Sequence, residues 1–413
     1  MFGRRQWRDL VWLALLSLAF QAFWMVRLEH PSYFDAYYYT VNAQQLAAGE
    51  GFTTEIIWQY LDAPDSLPAP SHTYWMPLAS LVGAAGYRLL GTFRGAQLPF
   101  WLMAGLLPLL SYAISWRLTR ETWQARTAAL FTAAGGYYAA YWIQPTTFVL
   151  FGWVGGACLL ALAWAQERPR PLLWFLAGVA AGLAHLTRAD GALLLAVALF
   201  LWLLQLRDWR LQRVTTDLRA IAAGLVLLFA GYLLIMGGWF WRIWNLIGRP
   251  LSTAGTETLF LTEYNDVFAY NRHFTLADYL AWGWKNILIS KLEASWLAVQ
   301  TFIAVTGLTA FTFFMVIAWI RLARCSDSRP SAVSCRFLRP FTWYTFALFG
   351  AMSLLFTFPG QRGSLLHSST ALWPWSMALV PAGMGIVVDW IAARRSRWRP
   401  RLAKRLFAVS FLI

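Results

Sequence analysis

The sequence predicts an all-α integral membrane protein, a bundle of about 11 transmembrane helices with juxtamembrane helices in the first outside loop. Of its 413 residues, 59% are hydrophobic and only 13% charged, too few charges to solvate the surface of a soluble chain of this length. The apolar residues run in long segments. The basic ones gather in short loops between them, so the net charge of +15 marks topology and does not point to nucleic acid. The 26 Trp fit interfacial belts and core contacts.

Leu10–Val26 is the first apolar segment, with Arg4, Arg5 and Arg8 before it. That charge bias puts the N-terminus in the cytoplasm; the membrane expected is the plasma (bacterial inner) membrane. No small-residue cleavage site follows, so the segment reads as a retained helix. The first outside loop, residues 27–95, is acidic. It carries Glu29, Asp35, Glu50, Glu55, Asp62 and Asp65, with no Lys or Arg between Arg27 and Arg88. Ala36–Ala48 predicts a short helix ended by Gly49-Glu-Gly51, and Pro64, Pro68 and Pro70 favour irregular chain after it.

Trp75–Leu90 is apolar but short and glycine-rich, below the roughly 20 residues a crossing needs. If it crossed, Arg207–Arg219 and Arg394–Arg405 would face outside. If it dips and returns, all the basic loops face the cytoplasm, and this reading follows the charge rule. Further helices are expected at Gln97–Trp116, Thr127–Ile143, Thr146–Ala165, Leu172–Leu186, Ala192–Leu206, Ala220–Trp241, Leu292–Ile320, Phe341–Phe358 and Ala371–Ile391. Leu402–Ile413 reads as one more, cut off mid-span. The organisation expected is a transmembrane module over residues 1–245, a second outside loop at 246–290, and C-terminal helices at 291–413. Cys158 falls in an apolar helix, while Cys325 and Cys335 share a basic loop, so no disulfide framework is expected.

With this topology, a selective set of polar residues meets the outer membrane boundary. Asp35 and Tyr39 follow the first helix; His72, Tyr74 and Trp75 close the first loop. Gln144-Pro145-Thr146 makes a turn, Arg188 and Asp190 interrupt an apolar run, and Arg362 and His367 precede the last complete helix. Charges at such a boundary are functional candidates. Asp35 suits a general base whose pKa burial would raise; the plain alternative is an N-cap for Ala36–Ala48. Arg188 and Arg362 suit bidentate phosphate binding, or for Arg188 a simple pairing with Asp190. Tyr39, His72, Trp75 and His367 suit contacts to a sugar or a lipid.

These residues also carry a resemblance. Asp35-Ala-Tyr-Tyr-Tyr39 with Ala47-Ala-Gly49-Glu-Gly51, His72-Thr-Tyr-Trp-Met-Pro77-Leu, and Leu186-Thr-Arg188-Ala-Asp190-Gly191 resemble motifs of the polytopic C-type-fold glycosyltransferases. The nearest in kind are the protein mannosyltransferase-like and aminoarabinose transferase-like members (bacterial family 39-like). The match covers roughly residues 5–245. It implies transfer from a polyprenyl-phosphate sugar with inversion, the first-loop Asp serving as base, and a lipid, glycan or protein acceptor in the cell envelope. Two departures stand out. Ala36 replaces the Glu that follows the Asp, and Tyr141–Thr147 lacks the second acid that some relatives use as a metal ligand. No cofactor is therefore expected, with a divalent metal left as an alternative. The partners expected are the lipid-linked donor, the acceptor and membrane lipids, with no nucleic acid. A transporter or flippase of lipid-linked saccharide and a non-catalytic relative remain rival readings; the first would favour mid-membrane charge pairs and an internal repeat, neither of which is visible.

Overall fold

In lipid, backbone polar groups must bond within the chain, and helices achieve this segment by segment. The computed structural model describes residues 3–61, 64–168, 170–212, 217–270, 272–324 and 335–410, and these are mainly helical. α1 (Arg4–Arg27) runs from an end of the bundle marked by Asp9 to an end marked by Asp35. Its 24 residues span about 36 Å, enough for a hydrocarbon core. α2 (Phe34–Ala48) and α3 (Leu78–Leu90) lie side by side at the Asp35 end. Ser80 Oγ donates to the Tyr39 carbonyl at 3.0 Å and Arg88 Nη2 to the Leu46 carbonyl at 3.0 Å, so the two helices run parallel. Between them, a short antiparallel pair of β1 (Thr53–Thr54) and β2 (Ala69–Pro70), with Thr53 opposite Pro70, ties the loop.

α3 is about 20 Å long and does not cross. The chain turns at Gly91, whose φ of +64° is left-handed, and enters α4 (Phe93–Thr119) beside the end of α1. There Arg94 donates to the Met25 carbonyl and, at 2.9 Å, to the Val26 carbonyl. α3 is thus entered and left at one end, as the loop charges require. α4 returns to the Asp9 end, where Tyr112 donates to Asp9 at 3.1 Å.

α5 (Thr122–Ala134), α6 (Thr147–Glu167), α7 (Pro171–Thr187), α8 (Ala192–Arg210) and α9 (Leu218–Ile247) follow. α10 (Thr253–Glu257) and α11 (Leu276–Ala281) belong to the second loop. Then come α12 (Trp284–Thr301), α13 (Ala310–Ala323), α14 (Arg339–Leu354), the short α15 (Thr357–Pro359) and α16 (Leu365–Ser368), α17 (Trp373–Ala392) and α18 (Pro400–Ser410). Among the described residues seven helices are long and apolar enough to cross a membrane. The protein is a multi-pass membrane protein.

Ion pairs close the Asp9 end. Asp9, 2% exposed, takes Arg126; Glu167 takes Arg117 at 2.7 Å; Asp208 takes Arg339 at 2.8 Å. In lipid, close backbone approach replaces the hydrophobic drive between helices. α7 and α9 show it: a Cβ on Gly178 would strike the Leu228 carbonyl, and one on Gly231 the Phe175 carbonyl.

Three expectations need correction. The helix expected over Thr127–Ile143 stops at Ala134, because Gly135 and Gly136 take φ of +71° and +50° and end it. The helix expected over Leu292–Ile320 continues from α12 through a wider π-helical turn, Phe302–Thr306, and is broken between Thr306 and Ala310. Leu308 and Thr309 are left-handed there, and the freed Ile303 carbonyl accepts from Thr309 N at 2.7 Å and Thr312 Oγ1 at 3.0 Å. Hydropathy hid both breaks, since the segments stay apolar through them. Cys335 is disulfide-bonded, against the expectation of no disulfide; its partner lies outside the described residues, and Cys158 is free and buried.

The orientation of the bundle is testable by single-cysteine labelling in intact cells. Position 210 is expected to label only after the membrane is permeabilised, and position 55 without it. Labelling of position 210 from outside would invert the assignment and return Trp75–Leu90 to a crossing.

Candidate active site at the Asp35 end

Asp35 sits in the first turn of α2. The N-cap is Tyr33, with no side-chain cap bond, so Asp35 is not the cap of its helix. Its place near the positive helix end favours the carboxylate. Ser32 fixes the approach: its N and Oγ both donate to Gln144 Oε1 at 3.0 Å, tying the α1–α2 link to the turn before α6. The Asp35 side chain is 28% exposed, and His367 Nε2 stands 3.6 Å from its Oδ2, a contact longer than a hydrogen bond.

His367 comes from α16 and is held on both sides. Its ring stacks on Phe148 at 3.7 Å between centroids, and its Nδ1 shares a 2.7 Å hydrogen bond with Thr147 Oγ1. Phe148 and Thr147 open α6, directly after the Gln144-Pro145-Thr146 turn.

Arg188 lies at the α7–α8 turn. Gly191 is required there, because a Cβ would strike the Ala184 carbonyl. The Arg188 side chain is 14% exposed and Asp190 9%. Nε donates to Asp190 Oδ1 and to Ser368 Oγ, each at 3.0 Å; Nη2 donates to Asp190 Oδ2 at 3.3 Å. Ser368 in turn donates to Asp190 Oδ2. Nη1 reaches only Thr147 Oγ1, at 3.5 Å. A guanidinium has five N–H donors, so the Nη1 pair is the part left for an anion.

Charge links the two halves. Burial pushes the Asp35 carboxyl up to about 6, while the Arg188 cation pulls it back down. Tyr39 is buried within reach of the charges of Arg188, Asp35 and Asp190, and burial raises its hydroxyl well above the usual phenol range. Its ring stacks on Trp75 at 5.6 Å.

The remaining expected residues fall elsewhere. His72 is fully buried: Nδ1 bonds Ser71 Oγ at 2.8 Å, Nε2 bonds Ser80 Oγ at 3.0 Å, and its N donates to Tyr38 at 3.0 Å. Burial, then the Arg242 charge, pushes it down to about 3, so it is a neutral tie between loop and helices. Arg362 is exposed on the rim, 5.0 Å over the Tyr264 ring. Tyr264 belongs to the second loop and feels the charges of both Asp35 and Arg362. Sequence reasoning placed Ser368 at the boundary beside His367 without giving it a role, and missed Thr147, Phe148 and Tyr264. Thr147 and Phe148 directly follow the Gln144-Pro145-Thr146 turn it had marked; Tyr264 had no local signal. Among the described residues no three His, Cys, Asp or Glu gather as a metal cage, and both Asp190 oxygens are engaged.

Among solved structures the chain is similar to the archaeal oligosaccharyltransferase AglB from Archaeoglobus fulgidus, in complex with an inhibitory peptide and a dolichol-phosphate. The TM-score is 0.50 at 14% identity, over 97% of this chain and 53% of that one. The chain has the C-type glycosyltransferase fold. It spans about half the length of AglB. ArnT from Cupriavidus metallidurans aligns bound to undecaprenyl phosphate and in the apo state, at 17% and 18% identity. Those alignments cover 95% and 93% of this chain and 81% and 80% of that one, with TM-scores of 0.42 and 0.39. No family model matches the chain, and no curated protein does. The C-type fold brings together, from four separated stretches, Asp35, Thr147, the Arg188–Asp190 pair and His367.

A base must be ionised, so any reaction that uses Asp35 should rise with pH through about 6 and level off above it. Arg188→Gln removes the cation that favours the carboxylate, so the midpoint moves to higher pH. The rate profile of wild type and variant checks this. An unmoved midpoint would separate the two groups.

Proposed function

We propose that the protein is a glycosyltransferase that moves a hexosyl or pentosyl group from a polyprenyl-phosphate-linked donor to a hydroxyl of a lipid, glycan or protein acceptor, at the outer face of the plasma membrane. The observation that carries this reading is a half-buried carboxyl with its pKa near 6, sharing one electrostatic site with a buried arginine, at the end of a membrane bundle. The fold supports it, since AglB has that fold and was solved with dolichol-phosphate.

The roles follow from chemistry. The phosphate of the donor meets Nη1 of Arg188, with Arg362 approaching from the rim. Asp35 takes the proton of the acceptor hydroxyl. The acceptor oxygen forms a bond to the anomeric carbon, and the bond from that carbon to the phosphate oxygen breaks. The electron pair leaves on the phosphate, giving polyprenyl phosphate. Attack opposite the leaving group inverts the anomeric carbon. His367 steadies the carboxyl, held in place by Thr147 and Phe148. Trp75, backed by the buried Tyr39 on which it stacks, presents its ring to the sugar.

Asp35→Asn keeps the shape and removes the proton acceptor. Donor turnover should fall by about 100- to 10,000-fold with the thermal melt unchanged, since the side chain has no hydrogen-bonded ion pair to lose. Wild-type turnover in this variant would overturn the reading. Arg188→Lys keeps the charge and loses the fork, so donor KM should rise more than kcat falls.

This reading gives a metal no role. The oxygens of Asp190 are taken by Arg188 and Ser368, so among the described residues gathered here Asp35 is the carboxylate without such partners. Turnover should therefore survive EDTA. Loss on chelation, restored by a divalent cation, would reveal a ligand set beyond these residues.

A further inference from the structure

Asp35 and His367 face each other, and either side chain is of a type that takes a proton from a hydroxyl. Imidazole is the commonest general base and a carboxylate the next. One hydroxyl behind the imidazole decides between them, because it fixes which ring nitrogen carries hydrogen.

That hydroxyl belongs to Thr147. The residue is 0% exposed, so solvent does not reach it. A threonine inside a helix often donates to the carbonyl one turn back. Thr147 is the first residue of α6, so the helix supplies no such carbonyl. Among the described residues its Oγ1 meets two groups, His367 Nδ1 at 2.7 Å and Arg188 Nη1 at 3.5 Å. A guanidinium only donates. The Thr147 hydrogen therefore has one acceptor, the lone pair of Nδ1. If Nδ1 carried hydrogen instead, Oγ1 would face two donors and its own hydrogen would be buried unpaired, which folded proteins rarely tolerate.

With Nδ1 accepting, the ring is neutral and its hydrogen sits on Nε2. Nε2 is the nitrogen turned to Asp35, 3.6 Å from Oδ2. Phe148 lies flat against the ring, at 3.7 Å between centroids and 17° between planes, and with the Thr147 bond keeps that edge toward Asp35. An N–H aimed at a carboxylate favours its charged form, and a nitrogen that already bears hydrogen has no lone pair for a proton.

We infer that Thr147 fixes His367 as the Nε2–H tautomer, so that His367 presents a donor to Asp35 and Asp35 is the proton acceptor of the two. Thr147 is a positioning residue, acting through the ring. The hydrogens of Arg188 Nη1, Thr147 Oγ1 and His367 Nε2 then run in one direction, from the cation to the carboxyl. The tautomer rests on this geometry alone; its use in proton transfer rests on the glycosyltransferase reading.

The test is nitrogen-15 NMR of the full chain in nanodiscs with labelled histidine. The chain has five His, and the His367 signals are those that vanish in His367→Gln. They should show a bare, pyridine-type Nδ1 and a hydrogen-bearing Nε2. Thr147→Val removes the hydroxyl with little change of shape and should shift hydrogen toward Nδ1; Thr147→Ser should restore the wild-type pattern. Hydrogen on Nδ1 in the wild type, or an unchanged pattern in Thr147→Val, overturns the inference. The wild-type spectrum decides even where a variant does not fold. Donor turnover then tests the role. His367→Gln keeps an N–H and has no basic nitrogen, so turnover should fall by about tenfold, the typical worth of one hydrogen bond. A fall of about 100- to 10,000-fold would return proton transfer to His367 and overturn its role as donor. If the wild type turns over no donor while its Nδ1 is bare and depends on Thr147, the tautomer stands and the transferase reading fails.

Discussion

A guanidinium at the end of an apolar helix bundle must find its counter-charge inside the protein, and the site depends on how Arg188 does so. Asp190 is two residues away and sits on the same turn, so the pair forms locally. Ser368 and Thr147 then bond to it from α16 and from the start of α6. Three distant stretches of chain are drawn to one point by one side chain. Removing either partner of such a pair leaves a buried charge, which typically costs about 3–5 kcal/mol. The same charge lowers the Asp35 carboxyl against its burial, so the residue that ties the turns together also sets the charge state of that carboxyl.

The two ends of the bundle use charge differently. At the Asp9 end the acids are closed by arginines in short contacts and do structural work between helices. At the Asp35 end the carboxyl meets a neutral-capable imidazole at 3.6 Å and keeps part of its surface open. A carboxyl held in this half-satisfied state is available to a proton from outside the protein. The helices α2 and α3 create that state by laying the first turn of α2 against the start of α6 without crossing the membrane.

Much of this was legible in the sequence. Charge counting separated α3 from the crossing helices, although its apolar run resembles theirs. The placement of Asp35, Arg188, Asp190 and His367 at one end followed from the same count. The breaks at Gly135 and between Thr306 and Ala310 were not legible from hydropathy, because both segments stay apolar through them. His72 looked like a site residue because a histidine at a boundary is conspicuous; two serines, one immediately adjacent and one eight residues on, turn it into a structural tie. Tyr264 was invisible, since only folding of the second loop brings its ring under Arg362 and within reach of the Asp35 charge.

The central claim is that Asp35 and Arg188 act as one unit, and a double-mutant cycle on donor turnover tests it most directly. The variants are Asp35→Asn, Arg188→Lys and the two together, each purified and assayed at pH above 7. If the residues serve one transition state, the losses are non-additive, and the double variant is little worse than Asp35→Asn alone. Losses that multiply fully would mean two independent sites and would contradict the account.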